Sequence, residues 1–211
     1  MVQSTQIDTF NRLTQVSRET ITSLIKYENY LIKSNKTLNL IGKSTINEIW
    51  LRHFLDSSQV IDFIDKNTNN LIDLGSGAGF PGLIIAILAK DRKIRLEVKL
   101  IEKSPKKASF LREIVNYLNL NVEVLNINAL TYAKKLEADI IVARAFKPLK
   151  IILQLLVKNT GNWKKVFLFL GKTGPDELLH ASKSWHIQYK QRMSVTSSDS
   201  IVIEVNKLEK K

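Results

Sequence analysis

The sequence predicts an α/β fold in which amphipathic helices precede a mostly parallel, Rossmann-like sheet. Apolar residues recur at helical spacing from Ile7 to about Asp65, and from Asn70 onward short apolar runs alternate with helical patterns. The chain then ends with two strand-like runs that are separated only by a short polar turn. We therefore predict a helical segment over residues 1–69, packed on a main domain over residues 70–211.

The helices of the first segment are predicted from three groups of apolar residues at helical spacing. Thr45, followed by Glu48 three residues later, is a possible capping box, and Asp56 with Gln59 is another. By default these helices form a structural cap on the domain that follows. The apolar groups are Ile7, Phe10 and Leu13; Ile21, Leu24, Ile25, Leu31 and Ile32; and Ile46, Ile49, Trp50, His53 and Phe54.

The strands of the main domain are predicted from continuous apolar runs. Such runs are expected where helices cover both faces of a parallel sheet, because every side chain of the strand is then buried. The predicted strands are residues 71–74, 96–101, 122–127, 140–143 and 166–170, and the predicted helices are residues 82–89, 106–118 and 149–157.

The end of the chain departs from this alternation. Residues 186–192 and 201–205 are strand-like, and the short polar stretch 196–200 lies between them. An antiparallel hairpin at the end of a parallel sheet is typical of the class I methyltransferase variant of the doubly wound fold and not of dehydrogenases. With this hairpin, the predicted sheet has seven strands.

The composition excludes several classes of function. The 211 residues are 44% hydrophobic, which suits a globular core, but no apolar run is long enough to span a bilayer and the first residues do not resemble a signal peptide. The chain has no cysteine, and its histidines, His53, His180 and His186, are far apart. We therefore expect a cytoplasmic protein with no membrane contact and no metal site.

Positive charge is concentrated in the main domain. The net charge is +12, yet residues 1–70 hold only 8 of the 32 basic and 7 of the 20 acidic side chains. An excess of lysine and arginine favours a phosphate-rich partner such as RNA. The alternative is that many of these lysines are simply solvated, because the chain is rich in lysine, asparagine and isoleucine together.

A glycine-rich turn, Asp73-Leu74-Gly75-Ser76-Gly77-Ala78-Gly79, joins the first predicted strand to the next helix. Glycines let the backbone approach a ligand closely, and a helix N-terminus offers free N–H groups. The acidic Asp73 at the strand end suits the ammonium group of S-adenosylmethionine, directly or through water, whereas it would oppose the pyrophosphate of a dinucleotide. We therefore predict that S-adenosylmethionine binds here.

A competing motif overlaps this turn. Residues 77–82 have the spacing G-x-G-x-x-G of nucleotide-binding turns, which would favour a nicotinamide-dependent oxidoreductase. The last glycine of that motif, however, follows Pro81, which is expected to open the helix. The strand-to-turn register therefore fits better with Gly75, Gly77 and Gly79 as the working glycines.

Acidic and polar residues at the next strand ends complete the predicted cofactor pocket. Glu102 ends the second strand of the main domain, where a carboxylate can accept both hydroxyl groups of a ribose. Asn128 and Ala129 follow the third strand and are expected beside the adenine ring. Asp73 and Glu102 thus have the spacing that one adenosyl ligand requires.

Several motifs together make the chain similar to a known family. Leu38-Asn39-Leu40, Arg52-His53-Phe54-Leu55-Asp56-Ser57, the glycine-rich turn extended through Phe80-Pro81-Gly82, and Arg144-Ala145-Phe146 resemble the bacterial 16S ribosomal RNA (guanine-N7) methyltransferase G family, or glucose-inhibited division protein B. The similarity runs from about Lys26 to the end of the chain. It implies the class I fold, S-adenosylmethionine as methyl donor, and N7 of one guanine in 16S rRNA of the small ribosomal subunit as target.

The resemblance also implies roles for individual residues. Arg144, His53 and Lys172 would be catalytic, although the family usually has Leu-Lys-Gly where this chain has Leu170-Gly171-Lys172. The family's Arg-Ala/Val-Glu motif after the third strand is replaced by Asn128-Ala129-Leu130. Arg52, Asp56 and Phe146 would contact the substrate. The cofactor would be held by Asp73, Gly75, Ser76, Gly77, Gly79, Phe80, Glu102, Asn128, Ala129 and Arg144.

The predicted chemistry needs no general base. Guanine N7 carries a lone pair and no proton, so it can attack a sulfonium methyl group in one in-line displacement, and catalysis then depends on positioning. Arg144 is expected to hydrogen-bond the O6 side of the guanine or a phosphate, and Phe146 to stack on a base or to pack in the core. An alternative from another class is a noncatalytic RNA-binding protein on the same fold. We expect a monomer, because the chain has no long apolar heptad pattern.

Overall fold

A computed structural model describes residues 2–211 and has the predicted architecture of helices followed by a mostly parallel sheet. The amino-terminal segment contains α1, α2, a 3₁₀ turn, a π-helical segment, the short α3 and a further 3₁₀ turn. Their bounds are Val2–Thr14, Arg18–Leu38, Lys43–Glu48, Trp50–Leu55, Asp56–Ser58 and Ile61–Phe63. The main domain contains β1 Asn70–Leu74, α4 Gly82–Asp91, β2 Glu97–Ile101, α5 Pro105–Tyr117, β3 Val122–Leu125, β4 Ile140–Arg144, α6 Leu149–Asn159, β5 Lys165–Leu170, α7 Gly174–Ser182, β6 Trp185–Ser194 and β7 Ser197–Lys210.

The seven strands form one sheet in the order β3-β2-β1-β4-β5-β7-β6. The first five strands in this order are parallel, and the β6–β7 hairpin is antiparallel to β5 and within itself. This confirms the predicted class I methyltransferase topology. Because the strand order reverses beside β1, which pairs with both β2 and β4, a crevice is expected at the carboxyl ends of these three strands.

The amino-terminal segment packs on the face of the sheet that α4 and α5 cover. One apolar cluster contains residues of the segment, such as Phe10 and Leu24, together with Leu83 and Leu111 of these two helices. A second cluster lies on the opposite face, under α6 and α7. The continuous burial of β1, β4 and β5 explains why their strands are continuous apolar runs in the sequence.

A buried carboxylate of α2 holds the π-helical segment. Trp50 Nε1 donates to Glu28 Oε2 over 2.9 Å, and Gln3 Nε2 donates to the same oxygen over 2.8 Å. Glu28 is buried in α2, so an indole and an amide satisfy its carboxylate. Arg52 and His53 belong to the same segment and are therefore next to this anchored residue.

Some details of the sequence prediction were wrong. Neither predicted capping box forms, since Thr45 lies inside a 3₁₀ turn whose N-cap is Gly42, and the Asp56 backbone N–H continues the π-helical segment by donating to Leu51 O. Helix α7 was not predicted. The hairpin turn is also tighter than expected, because β6 extends to Ser194 and β7 begins at Ser197.

No helix among residues 2–211 is long and apolar enough to span a bilayer.

Candidate functional site

A cavity of about 530 Å³ lies at the carboxyl ends of β1, β2 and β4. We call it the first cavity. Its volume is within the usual range for small-molecule sites. Most of the predicted site residues line it, namely His53, Gly75, Ser76, Gly77, Phe80, Glu102, Asn128, Ala129, Arg144 and Phe146.

The glycine-rich turn forms one wall of the first cavity and needs its glycines for two different reasons. Gly75 has φ +74°, and a Cβ there would lie 2.1 Å from Cδ2 of Phe146, so no side chain fits. Gly77 has φ +57°, but the nearest atom to its Cβ position is a backbone oxygen 3.8 Å away. Gly79, predicted to bind the cofactor, does not line the cavity and is packed against Leu83 and Tyr27. Gly77 is therefore the bare backbone that a ligand can approach.

Tyr27 of α2 contacts the glycine-rich turn on the side away from the first cavity. It was not predicted from the sequence. Its hydroxyl group donates to the carbonyl of Ala78, and its ring lies 5.4 Å from Phe54 and 5.7 Å from Phe80 between centroids. Burial raises the pKa of Tyr27 well above its usual value, so the side chain is a neutral donor. A tyrosine in the apolar stripe of α2 was the available signal, because a buried hydroxyl needs a partner.

Asp73 lies behind the turn and does not line the first cavity. It is fully buried, and its Oδ2 accepts from the Gly82 N–H at the start of α4 over 3.0 Å. Its Oδ1 is buried and has no partner within the described part of the chain. Burial raises the pKa of Asp73 to about 7, although the Gly82 N–H and the Ser76 hydroxyl oppose that shift.

Glu102 connects the turn to β2 and faces the first cavity. Its Oε2 accepts from the Gly77 N–H over 2.9 Å, and its Oε1 accepts from the Ser104 N–H over 2.7 Å. The carboxylate therefore anchors the turn as well as lining the cavity. Since a carboxylate has about four acceptor positions, two bonds leave capacity for ligand hydroxyl groups.

Asn128 and Ala129 line the far end of the first cavity, after β3. Asn128 is exposed, and its Oδ1 accepts from the Leu130 N–H over 3.1 Å, whereas Ala129 is buried. The side-chain oxygen of Asn128 is thus used locally. Its amide NH₂ group is the part that could donate to a ligand.

A second cavity of about 310 Å³ adjoins the first. Both cavities are lined by His53, Arg144 and Ala145, so these residues separate the two spaces. The second cavity is also lined by the predicted substrate residues Arg52 and Asp56. The residues that the motifs placed in separate parts of the sequence are therefore brought together at this boundary.

The guanidinium group of Arg144 is held at the boundary by the amino-terminal segment. Nη1 donates to Asp56 Oδ2 over 3.0 Å and to the Arg52 carbonyl over 3.1 Å, and Nη2 donates to His53 Nδ1 over 2.8 Å. The group also lies 5.1 Å from the Phe80 ring centroid, which is a cation–π contact. Three of its five N–H groups are used, so two are left for a ligand.

The hydrogen bonds of His53 define its protonation state. Arginine can only donate, so Nδ1 accepts from Arg144, and the ring proton is on Nε2, which lies 2.9 Å from Thr45 Oγ1. Thr45 in turn donates to the Gly42 carbonyl. Burial, with the charges of Arg144 and Arg52, lowers the pKa of His53 to about 3. The ring also stacks on Phe80, 4.9 Å between centroids.

We expect His53 to stay neutral, with its proton on Nε2, throughout the physiological pH range. In the unfolded chain it takes up a proton near pH 6.5, so His53 makes folding less stable as the pH falls from about 6.5 towards its folded pKa of about 3. NMR of the imidazole nitrogens, assigned with His53→Gln, measures both tautomer and titration. A titration midpoint near 6.5 for this residue would contradict the assignment.

The structure places Phe146 at the first cavity and Lys172 away from both cavities. Phe146 is half-buried, covers Gly75 and lines the first cavity, so it supports the turn that it faces. Lys172 is exposed on the turn after β5 and lines neither cavity. The structure therefore does not bring Lys172 to the site, because the order Gly171-Lys172 puts the glycine, and not the lysine, against the second cavity.

Basic side chains surround the mouths of the two cavities. Lys103, Lys107 and Lys147 line the first cavity, and the exposed Arg52 lines the second. The sequence reasoning placed the positive charge in the main domain but did not single out these lysines. Among residues 2–211 no group of three or more histidine, aspartate or glutamate side chains could hold a metal ion.

The sequence is similar to one family of known proteins over most of its length. The family described as rRNA small subunit methyltransferase G matches residues 20–203. The chain is 41% identical over 198 residues to a ribosomal RNA small subunit methyltransferase G from Pelagibacter ubique, covering 93% of this chain and 92% of the relative. It is 34% identical over 196 residues to the protein of the same name from Rickettsia akari, covering 93% and 98%.

Solved structures with low sequence identity share the fold. TrmK from M. capricolum, solved with S-adenosylhomocysteine, gives a TM-score of 0.54 at 16% identity and covers 72% of this chain and 67% of that one. TYW2 from M. jannaschii, solved with S-adenosylmethionine, gives 0.52 at 19% identity and covers 77% and 78%. At these identities the likeness establishes the class I methyltransferase architecture.

Proposed function

Because the chain belongs to the rRNA small subunit methyltransferase G family, we propose that it transfers the methyl group of S-adenosylmethionine to N7 of one guanine in 16S rRNA. One observation supports this most directly. The first cavity, walled by the glycine-rich turn, adjoins a second cavity across His53 and Arg144. A methyl donor and an acceptor base in neighbouring spaces would have the proximity that a displacement reaction needs.

The residues that line the first cavity, together with Asp73 behind the glycine-rich turn, fit S-adenosylmethionine. The unpartnered buried oxygen of Asp73 suits a nearby ammonium group, reached directly or through water, and the bare backbone at Gly77 allows close approach. Glu102 would accept from the ribose hydroxyl groups, and Asn128 and Ala129 would border the adenine. When bound, the cofactor supplies an electrophilic methyl group on a sulfonium centre.

The side chains at the boundary suit a reaction without a general base. Both ring nitrogens of His53 are engaged, by Arg144 and Thr45, so the imidazole is not free to accept a proton from a substrate. Guanine N7 has no proton to lose, and therefore the reaction does not need His53 to act as a general base. We propose that Arg144 and His53 orient the acceptor base, with Arg52 and Phe146 in contact with the RNA.

The other functions considered from the sequence are not supported. The G-x-G-x-x-G spacing reflects close packing of Gly82, whose Cβ would lie 2.6 Å from Leu100 and 2.8 Å from Asp73. A noncatalytic RNA-binding role is not favoured, because the basic side chains surround a site at which His53, Gly77, Glu102 and Arg144 meet. Calorimetric titration separates the alternatives: S-adenosylmethionine binding without NAD binding is expected.

We expect the affinity for S-adenosylmethionine to rise with pH and to level off above about pH 8. Free Asp73 has a pKa of about 7, so below that pH a proton must leave before the carboxylate can stabilise an ammonium group. Asp73→Asn should weaken binding by about 1.5–3 kcal/mol and remove this pH dependence. Calorimetry between pH 5.5 and 8.5 measures both. Any pH dependence that remains in Asp73→Asn comes from titration of the S-adenosylmethionine ammonium group and can be subtracted.

We expect binding to 16S rRNA to depend on salt through the lysines at the first cavity. Lysine–phosphate contacts release counterions, so each lost contact should lower the slope of log affinity against log salt by about 0.7–0.9. The triple variant Lys103→Ala, Lys107→Ala, Lys147→Ala should therefore bind more weakly at low salt and respond less to added salt. Filter binding at several salt concentrations measures the slope.

A matched triple variant tests whether position matters for this effect. Lys66, Lys158 and Lys183 are exposed on the side of the sheet where the parallel strands begin, which is opposite to the cavities. Lys66 precedes β1, and Lys158 and Lys183 are at the ends of α6 and α7. Their replacement by alanine removes the same charge and should leave the salt slope nearly unchanged. Equal loss of slope in both triple variants would indicate a diffuse charge effect instead of a binding face.

We also propose that the protein acts as a monomer in the bacterial cytoplasm, where the ribosomal substrate is found. The division into a helical segment over residues 1–69 and a methyltransferase domain over residues 70–211 stays a prediction. The apolar cluster that joins them supports a segment packed on that domain.

A further inference from the structure

The turn between β6 and β7 is tied to the site through one carboxylate. Asp56 Oδ1 accepts from Ser194 Oγ over 2.9 Å, from Thr196 Oγ1 over 3.2 Å and from Gln59 Nε2 over 2.9 Å. Its other oxygen, Oδ2, accepts from Arg144 Nη1 over 3.0 Å. Oδ1 thus accepts three hydrogen bonds and Oδ2 accepts one, so both oxygens of the carboxylate are engaged.

The same turn is also fixed through its backbone. The Val195 N–H donates to Gln59 Oε1 over 2.9 Å, and the Thr196 N–H donates to Ser194 Oγ over 3.2 Å. Val195 itself is 62% exposed, so the turn is not held by apolar burial. The contacts between the hairpin turn and Asp56 are therefore polar and directional, and they define orientation instead of burying surface.

Orientation of the Asp56 carboxylate is what these hydroxyl groups can control. The χ2 angle of an aspartate has a broad distribution of favoured values, so the rotamer alone does not decide which oxygen faces a partner. With Oδ1 held by Ser194 and Thr196, Oδ2 is directed at Arg144. Arg144 lies at the boundary of the two cavities, and its side chain is only 15% exposed.

We propose that the β6–β7 turn is a positioning element for methyl transfer, in which Ser194 and Thr196 fix Asp56, and Asp56 fixes the guanidinium group of Arg144. This proposal rests on the proposed function, because it assigns Arg144 to the orientation of the acceptor base. Asp56 is then a positioning residue and not a substrate contact. Its partners on the turn are 138 and 140 residues away in the sequence.

The test compares variants that keep the shape of the turn. Ser194→Ala with Thr196→Val removes both hydroxyl groups and should lower kcat about tenfold, with little change in KM for small ribosomal subunits, because orientation is lost and not binding. Ser194→Thr with Thr196→Ser keeps the hydroxyl groups and should restore most of the rate. Ser198→Ala, on an exposed position of β7, is the matched control and should be unaffected.

A double-mutant cycle with Arg144→Lys decides whether the turn acts through Arg144. If it does, removing the hydroxyl groups in the Arg144→Lys background should cost much less than tenfold. Equal losses in both backgrounds, or a rise in KM with unchanged kcat, would overturn the proposal, since the hydroxyl groups would then act independently or touch the RNA. An inactive wild-type protein would overturn the proposed function itself, and this assignment with it.

Discussion

Replacing Arg144 with alanine is expected to lower the rate of methyl transfer on the order of a hundredfold while leaving S-adenosylmethionine affinity nearly intact. Guanine N7 becomes positively charged as it gains the methyl group, so a cation cannot assist by neutralising that charge. Arg144 must act through geometry, and the structure holds it at the boundary of the two cavities with Asp56 and His53. Single-turnover methylation of small subunits and calorimetry of the cofactor measure the two effects side by side.

Two further results would test this account of Arg144. Arg144→Lys should recover little of the rate, because a lysine ammonium cannot donate to Asp56, His53 and the Arg52 carbonyl in one plane. The alanine variant should also lose about 1–3 kcal/mol of stability, since the Asp56 carboxylate loses its cation. A folded variant that methylates at the wild-type rate would remove Arg144 from the site.

Gly75→Ala is expected to destabilise the free protein by about 2–5 kcal/mol, combining a left-handed backbone with an overpacked contact. Gly75 has φ +74°, and a Cβ there would meet Phe146 Cδ2 at 2.1 Å. Phe146 or the turn must move, so the cofactor affinity should fall as well. Urea denaturation gives the free energy of unfolding, and calorimetry gives the affinity.

Gly77→Ala is the matched control for this prediction. Gly77 has a similar φ of +57° but open space around its Cβ position, so only the backbone term of about 1–2 kcal/mol is expected. Adding Phe146→Ala to Gly75→Ala should recover part of the difference between the two variants. Equal destabilisation by Gly75→Ala and Gly77→Ala would show that the Phe146 contact does not matter.

The sequence was sufficient for the architecture because buried parallel strands are continuous apolar runs. Strands β1, β4 and β5 were predicted within one or two residues for this reason. Helix α7 was not predicted, because its short sequence gives only a weak apolar pattern and Leu179 is 64% exposed. The hairpin bounds were imprecise because β6 is an edge strand with mostly exposed side chains.

The position of the first cavity followed from local motifs, but the connections across the site did not. Gly75, Gly77 and Glu102 follow the carboxyl ends of β1 and β2. Because these strands are parallel neighbours, the residues that follow them lie close together. By contrast, the contacts of Asp56 with Ser194 and Thr196 join residues 138 and 140 positions apart and leave no local pattern.

Asp73 and Tyr27 show a second limit of the sequence analysis. The motif indicated an acidic residue for the cofactor, but burial behind the turn is a property of the packed structure, and it raises the pKa of Asp73 to about 7. Tyr27 was not singled out from the sequence, because a tyrosine among the apolar residues of a helix gives no sign of which group its hydroxyl will bind. Its bond to Ala78 exists because α2 packs against the turn.

The most direct test of the proposed function is to identify the methylated atom. Small ribosomal subunits from a strain that lacks this protein would be incubated with the purified protein and S-adenosylmethionine carrying a labelled methyl group, and the 16S rRNA would be digested and mapped by mass spectrometry. We predict one labelled methyl group, on N7 of a single guanine, and none when the cofactor is omitted. A label on another atom or base, or no label at all, would contradict the proposed function.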